Sequence, residues 1–162
     1  MKKDLNIEKP ATIKEIVVEA KLENLQVVQD FISEELEVSS SCTDEIKTQV
    51  IIAAEEIFVN IARYAYGHGM SEGSSQSEQR IPEVGTVTVR VGVSDKINIE
   101  YEDSGAPFNP LEMDDPDITL SIEERDFGGL GIFMAKNLMD VIEYRYKNNK
   151  NILLLIKNVK AS

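Results

Sequence analysis

The sequence is poor in the residues that build disulfide frameworks and transition-metal centres. It has one cysteine, Cys42, and one histidine, His68, among 162 residues. A single cysteine excludes an intrachain disulfide and any metal site built from several cysteines. A single histidine in a glycine-rich stretch argues against a histidine-based metal site and against a Ser-His-Asp triad.

Long apolar runs are also missing. No stretch approaches the roughly 18 consecutive apolar residues of a membrane span. The N-terminal stretch MKKDLNIEKPATIKE contains lysines but lacks the apolar segment of a signal peptide. These absences predict a cytoplasmic protein that does not associate with a membrane.

Basic residues are scarce beside acidic ones, with 17 Lys and Arg against 29 Asp and Glu, for a net charge of −12. Because general nucleic-acid binding needs a basic surface, this balance argues against a nucleic-acid partner. It is compatible with a basic protein partner instead. Hydrophobic residues make up 42% of the chain, which is ordinary for a globular protein. We predict that residues 1–162 form one domain.

Hydrophobic periodicity predicts the order strand, helix, helix, two strands, helix, two strands. The predicted strands cover 12–20, 86–93, 97–103, 141–146 and 151–158. The predicted helices cover 22–37, the segment from SSSCTD to about Tyr66, and the segment after the glycines at 128–131. Ser41 and Asp44 fit the S-x-x-D signal for the start of the second helix.

The connections between these elements indicate the fold. Residues 67–85 are rich in Gly and Ser and are predicted to form a mobile loop within the domain. Both strand pairs are joined by turns too short for a parallel crossover. The sequence therefore predicts an α+β two-layer sandwich, with three helices on one face of a mixed, mostly antiparallel sheet.

One strand ends in an aspartate on its apolar face. In INIEYED the alternation places Ile97, Ile99 and Tyr101 on one side. Asp103 falls on that same side, directly before the turn SGAPFNP. A carboxylate facing a core needs a hydrogen-bond donor, which either the protein or an arriving ligand must supply.

The long second helix carries a group of polar residues in EEIFVNIARYAY. At helical spacing Glu56, Asn60 and Arg63 fall close together at the border of the apolar stripe. An asparagine oxygen suits Mg²⁺, and a glutamate suits the activation of a nucleophile. An ordinary solvated helix surface would give the same pattern. Glu55 is predicted to be solvated.

The stretch GGLG, residues 128–131, immediately precedes the third predicted helix. Glycines let backbone N–H groups approach a ligand, and a helix N-terminus attracts phosphate. The stretch is neither a Walker A loop nor a G-x-G-x-x-G fingerprint, and a flexible entry into a helix is the alternative interpretation. Arg125, the basic residue of the preceding acidic segment, stands where it could meet an anion.

The three motifs occur in a specific order: E-x-x-x-N on a helix, D-x-G-x-P-F after a strand, and GGLG before a helix. This order resembles the N, G1 and G2 boxes of the Bergerat-type ATP-binding fold. Histidine kinases, gyrase-type topoisomerases, Hsp90-type chaperones and MutL-type repair proteins share that fold. Within this superfamily, EEIFVNIARYAYG and DSGAPFNPL are most similar to the short bacterial anti-sigma-factor serine/threonine kinases.

The resemblance implies a role for each matching position. Asp103 would accept a hydrogen bond from the adenine amino group, Asn60 would coordinate Mg²⁺, and Glu56 would be the catalytic carboxylate. Residues 111–127 would form a lid over ATP. Gly105 would leave room for the base. The further residues that the resemblance places at the nucleotide are Arg63, Pro107, Phe108, Arg125, Gly128, Gly129, Leu130, Gly131 and Ile132.

The resemblance also implies a function. Such proteins are ATP-dependent kinases that phosphorylate a small antagonist protein and sequester a sigma factor, and relatives often form homodimers. The alternative is a nucleotide-binding interaction module that controls its partner without phosphoryl transfer. A histidine kinase fits less well, because the sequence shows neither dimerisation helices nor a phospho-acceptor region.

Overall fold

A computed structural model describes residues 12–66, 85–112, 114–115 and 130–159. Apart from Gly85, the predicted loop at 67–85 lies outside the described residues. Most of the predicted lid at 111–127 also lies outside them.

The described strands form one five-stranded sheet with the order β1-β2-β3-β5-β4. Its strands are β1 (Ile13–Glu19), β2 (Thr86–Val93), β3 (Lys96–Asp103), β4 (Val141–Lys147) and β5 (Lys150–Asn158). All neighbouring pairs of the described strands are antiparallel. The short turns account for the β2–β3 and β4–β5 pairs, and the remaining two pairs are antiparallel as well, whereas the prediction was a mixed, mostly antiparallel sheet. The turn between β4 and β5 has positive φ at Asn148 (54°) and Asn149 (61°). Such turns match the twist of a hairpin, and asparagine tolerates this conformation.

Three α-helices among the described residues cover one face of the sheet: α1 (Leu25–Glu37), α2 (Asp44–Tyr64) and α3 (Leu130–Leu138). The alternate residues Val89, Ile99 and Leu155 of the central strands are fully buried beneath them. The hydroxyl of buried Tyr101 donates to the carbonyl of Ala54 at 2.9 Å, which ties β3 to α2. The predicted α+β sandwich is confirmed. None of the described helices has the length and apolar character of a membrane span.

The start of α2 differs from the prediction. Thr43, rather than Ser41, is the N-cap residue, and its hydroxyl oxygen accepts a hydrogen bond from the N–H of Ile46 at 3.2 Å. An N-cap side chain reaches amides only two or three positions ahead. Because the helix begins at Asp44, Ser41 lies too early in the chain to make that bond.

The sheet face opposite the helices is charged. The guanidinium of Arg90 lies 3.0 Å from Glu100 and from Glu102, and 2.9 Å from Glu15 on the edge strand. Lys150 contacts Glu102 at 2.7 Å. An antiparallel sheet can expose one face in this way. The apolar space available to a ligand therefore lies on the helix side.

Candidate functional site

A cleft of about 460 Å³, counting the part open to solvent, lies on the helix side between α2, the turn after β3, α3 and the β4–β5 hairpin. The residues that line the cleft are Ile57, Asn60, Ile61, Tyr64, Ala65, Tyr101, Asp103, Ala106, Phe108, Pro110, Ile132, Tyr144, Asn151 and Leu153. Four predicted site residues, Asn60, Asp103, Phe108 and Ile132, are therefore brought together.

Asp103 is buried at the cleft, with 6% of its surface exposed. Its Oδ1 accepts from the Gly105 N–H at 2.9 Å and from Asn151 Nδ2 at 3.0 Å. Burial raises the pKa of Asp103, and these two hydrogen bonds partly offset the increase. Its second oxygen receives no hydrogen bond from the part of the chain that the structure describes. One oxygen is thus satisfied by the protein, and the other can accept from a ligand.

Asn151 is a polar site residue that the sequence analysis missed. It is 7% exposed and pairs with Asp103 in the register of β3 and β5. A usable signal existed, because the alternation of β5 places this amide on the same buried face as Leu153 and Leu155. A polar side chain on an apolar strand face is the pattern that identified Asp103.

The end of α2 packs against the turn that follows β3. Tyr66 donates its hydroxyl to the Thr86 carbonyl at 2.6 Å and accepts from the Ser104 N–H at 2.8 Å. Gly105 is buried beside this contact, and a Cβ at that position would collide with the backbone oxygen of Ala65. Gly105 therefore has a packing role, because it lets the last turn of α2 approach.

Substitution of Gly105 by alanine should destabilise the fold. The obstacle is a backbone carbonyl that cannot rotate away, so the turn or the helix end must shift, at a cost of about 1–3 kcal/mol. The movement should also displace Asp103 and weaken ligand binding. Chemical denaturation measures the free energy of unfolding.

The matched control for that experiment is Gly131→Ala. A Cβ at Gly131 would meet the carboxylate end of the Glu56 side chain, which can swing aside. This variant should keep nearly the stability of the wild type. Equal stabilities of Gly105→Ala and the wild-type protein would contradict the packing role.

Glu56 is half-buried on α2 and faces the first turn of α3 at Gly131. Its carboxylate accepts no hydrogen bond from the described residues. Its pKa is raised, mainly by burial and further by the charge of Glu55, while Arg63 acts in the opposite direction. The carboxylate thus holds protons more readily than an ordinary glutamate.

Three polar residues near Glu56 on α2 differ in burial and in hydrogen bonding. Glu55 was predicted to be solvated, and the structure corrects this, since Glu55 is half-buried and accepts from Gln29 Nε2 of α1 at 2.9 Å. Asn60 lies one turn beyond Glu56, lines the cleft, and makes no side-chain hydrogen bond with the described residues. Arg63 is exposed, is not among the cleft-lining residues, and acts on the site through its charge.

The remaining predicted residues divide into two groups. Pro107 and Leu130 are exposed and do not line the cleft. Arg125, Gly128 and Gly129 lie outside the described residues, so their predicted roles stay predictions. At the described edge of the predicted lid, Lys136 of α3 contacts Asp115 at 3.2 Å.

The residues present fit a nucleotide and the magnesium ion that would accompany it. Apolar walls and one free carboxylate oxygen suit a flat base that carries an amino group. In the described ranges, no group of three His, Cys, Asp or Glu residues could hold a metal ion. Mg²⁺ usually binds through one or two protein oxygens together with substrate phosphates. The Asn60 oxygen can supply one such ligand.

Comparisons with known proteins identify the family and the fold of this chain. Residues 18–157 match the model of the histidine kinase-like ATPase domain, whereas no protein of curated function matches the chain. The fold is similar to the crystal structure of the RsbU and RsbW domains of Rv1364c from Mycobacterium tuberculosis, with a TM-score of 0.57 and 13% identity. That likeness covers 92% of this chain and 33% of the solved one, so this chain spans about a third of its length. By the match over residues 18–157, the chain belongs to the histidine kinase-like ATPase domain family.

Proposed function

We propose that this protein is an ATP-dependent protein serine/threonine kinase of the anti-sigma-factor type. It would bind Mg-ATP in the cleft, phosphorylate a small antagonist protein and sequester a sigma factor in the cytoplasm. The observation that carries the proposal is the position of Glu56. A half-buried carboxylate that receives no hydrogen bond from the described part of the chain lies one helical turn from the cleft-lining Asn60. A module that only binds nucleotide has no use for such a group.

At the base end of the cleft, Asp103 would recognise adenine. Its free oxygen accepts from the amino group, while Ile57, Ile132 and Leu153 provide apolar contacts for the ring. The ring of Phe108, 46% exposed, borders the opening. This combination of a few polar groups in an apolar pocket favours one base orientation.

At the phosphate end, Asn60 would hold Mg²⁺, which when bound neutralises charge on the phosphates during transfer. The serine or threonine oxygen of the antagonist attacks the terminal phosphorus, and the bond to the ADP oxygen breaks. Glu56 takes the proton of the attacking hydroxyl. Its raised pKa brings this base closer to neutral pH, where general bases are most effective.

The charge of the protein bears on its partners. With a net charge of −12, it would associate with basic patches on a sigma factor, and the association rate would fall as salt rises. The new phosphate on the antagonist would face Glu56, and once Glu56 has released its proton to solvent, repulsion between them would help to release the product. A homodimer, as in relatives, stays a prediction.

Labelled ATP tests the proposal directly. The purified protein is incubated with labelled Mg-ATP and the antagonist-like protein encoded nearest to its gene. Phosphate should appear on a serine or threonine of that partner. Nucleotide-dependent binding of the partner without any transfer would instead assign the protein as a nucleotide-binding interaction module. Failure to bind ATP would overturn both functions.

A further inference from the structure

The side chain of Asn151 holds the whole turn that follows β3. Its Nδ2 donates to Asp103 Oδ1 at 3.0 Å and to the carbonyls of Gly105 at 3.2 Å and Ala106 at 3.1 Å. Its Oδ1 accepts from the Phe108 N–H at 3.1 Å and from the Tyr144 hydroxyl. Four contacts therefore connect β5 to residues 103–108, and the fifth connects Asn151 to Tyr144 of β4.

These contacts use the full hydrogen-bonding capacity of the amide. An asparagine side chain has two N–H donors and one carbonyl oxygen with two lone pairs. In Asn151 the donors are shared among three acceptors, and both lone pairs receive a hydrogen bond. Although Asn151 lines the cleft, it has no group left for a ligand. Its role must be exerted through the residues that it holds.

We propose that Asn151 is the positioning residue for base recognition, because it fixes the orientation of the Asp103 carboxylate in the cleft. The inference rests on the proposed binding of adenine and names the residue that sets its selectivity. Asn151 Nδ2 and the Gly105 N–H both donate to Oδ1. The carboxylate is thereby held with Oδ2 toward the ligand. Without the amide, the carboxyl group could rotate or turn toward other donors.

The test compares two ligands that differ only at the group Asp103 would read. ATP carries the amino group, and purine riboside triphosphate carries a hydrogen in its place. Losing a hydrogen bond to a charged group should make the wild-type protein favour ATP on the order of tenfold or more. Titration calorimetry gives the ratio of the two affinities. A substitution that weakens the binding of both ligands by the same factor leaves this ratio unchanged.

Asn151→Ala removes the donor to Asp103 and should reduce that ratio to within about threefold of unity. Asn151→Asp, measured at alkaline pH, keeps the shape of the side chain and replaces the donor with a repelling oxygen. It should have the same effect even if the alanine variant does not fold. Thermal unfolding of each variant establishes that it is folded.

Ile132→Val is the matched control, because it shortens an apolar wall of the cleft and alters no hydrogen bond of Asp103. It should weaken the binding of both triphosphates by the same factor and leave the ratio of their affinities unchanged. If folded Asn151 variants keep the wild-type ratio, the positioning role is overturned while adenine binding stands. If the wild-type protein binds neither triphosphate, the proposed function fails first, and this inference fails with it.

Discussion

Replacing Glu56 with glutamine should slow phosphoryl transfer by about 10²–10⁴-fold and leave ATP affinity close to that of the wild-type protein. Glutamine keeps the size of the side chain but cannot take the proton of the attacking hydroxyl. Glu56 is not among the residues that line the cleft, and no described residue donates a hydrogen bond to it. Removing the charge of Glu56 should therefore change neither the base pocket nor the stability of the fold. Single-turnover kinetics separates transfer from binding.

The pH dependence of transfer gives a second readout of the same substitution. Burial raises the pKa of Glu56, so the rate should fall on acidification at a pH above the ordinary glutamate value. Arg63 opposes this increase, so Arg63→Gln should move the acidic limb to higher pH. The limb should be absent in Glu56→Gln. An unchanged acidic limb in that variant would contradict the assignment of Glu56 as the base.

Glu55→Gln is the matched control, because it makes the same chemical change one position earlier. Glu55 faces α1 through Gln29, and a glutamine oxygen can still accept that hydrogen bond. Its charge raises the pKa of Glu56, so the variant should retain transfer and move the acidic limb to lower pH. If Glu55→Gln slowed transfer as much as Glu56→Gln, neither residue would be distinguished as the base.

The sequence predicted the secondary structure well where burial alternates cleanly. In β2 and β3 every second residue is fully buried, as in Val87, Val89, Ile97 and Ile99, so the period of two is unambiguous. The predicted N-cap residue of α2 was wrong because SSSCTD offers several side chains that can cap a helix. The choice among them depends on where the helix begins. Because its first residue is Asp44, Thr43 is the N-cap residue.

The candidate site was predictable where a single residue breaks a local pattern. Asp103 contradicts the apolar face of its own strand, and Asn60 lies at a helix border. The packing of Gly105 against the end of α2 depends on two segments about 40 residues apart in sequence, since its obstacle is the carbonyl of Ala65. The hydrogen bond from Gln29 to Glu55 also joins different helices. Contacts of this kind carry no local periodicity.

Replacing Asp103 with asparagine should weaken ATP binding on the order of ten- to a hundredfold, because a hydrogen bond to a charged group contributes about 1.5–3 kcal/mol. The geometry fixes how the new amide sits. Gly105 N–H and Asn151 Nδ2 both donate to Oδ1, so the carbonyl oxygen of the asparagine must occupy that position. Its NH₂ group then takes the place of Oδ2 and presents donors to the donor group of adenine.

The same geometry predicts a change of base preference rather than a general loss of binding. Inosine triphosphate carries a carbonyl oxygen where adenine carries its amino group, so Asp103→Asn should bind it better than the wild-type protein does.

The substitution should not lower the free energy of unfolding at neutral pH. Because burial raises the pKa of Asp103, the folded wild-type protein loses stability as pH rises from the ordinary aspartate pKa to this raised value. A neutral amide removes that loss. Calorimetry with both triphosphates, together with thermal unfolding, checks these results, and unchanged ATP affinity in a folded Asp103→Asn protein would rule out Asp103 as the adenine acceptor.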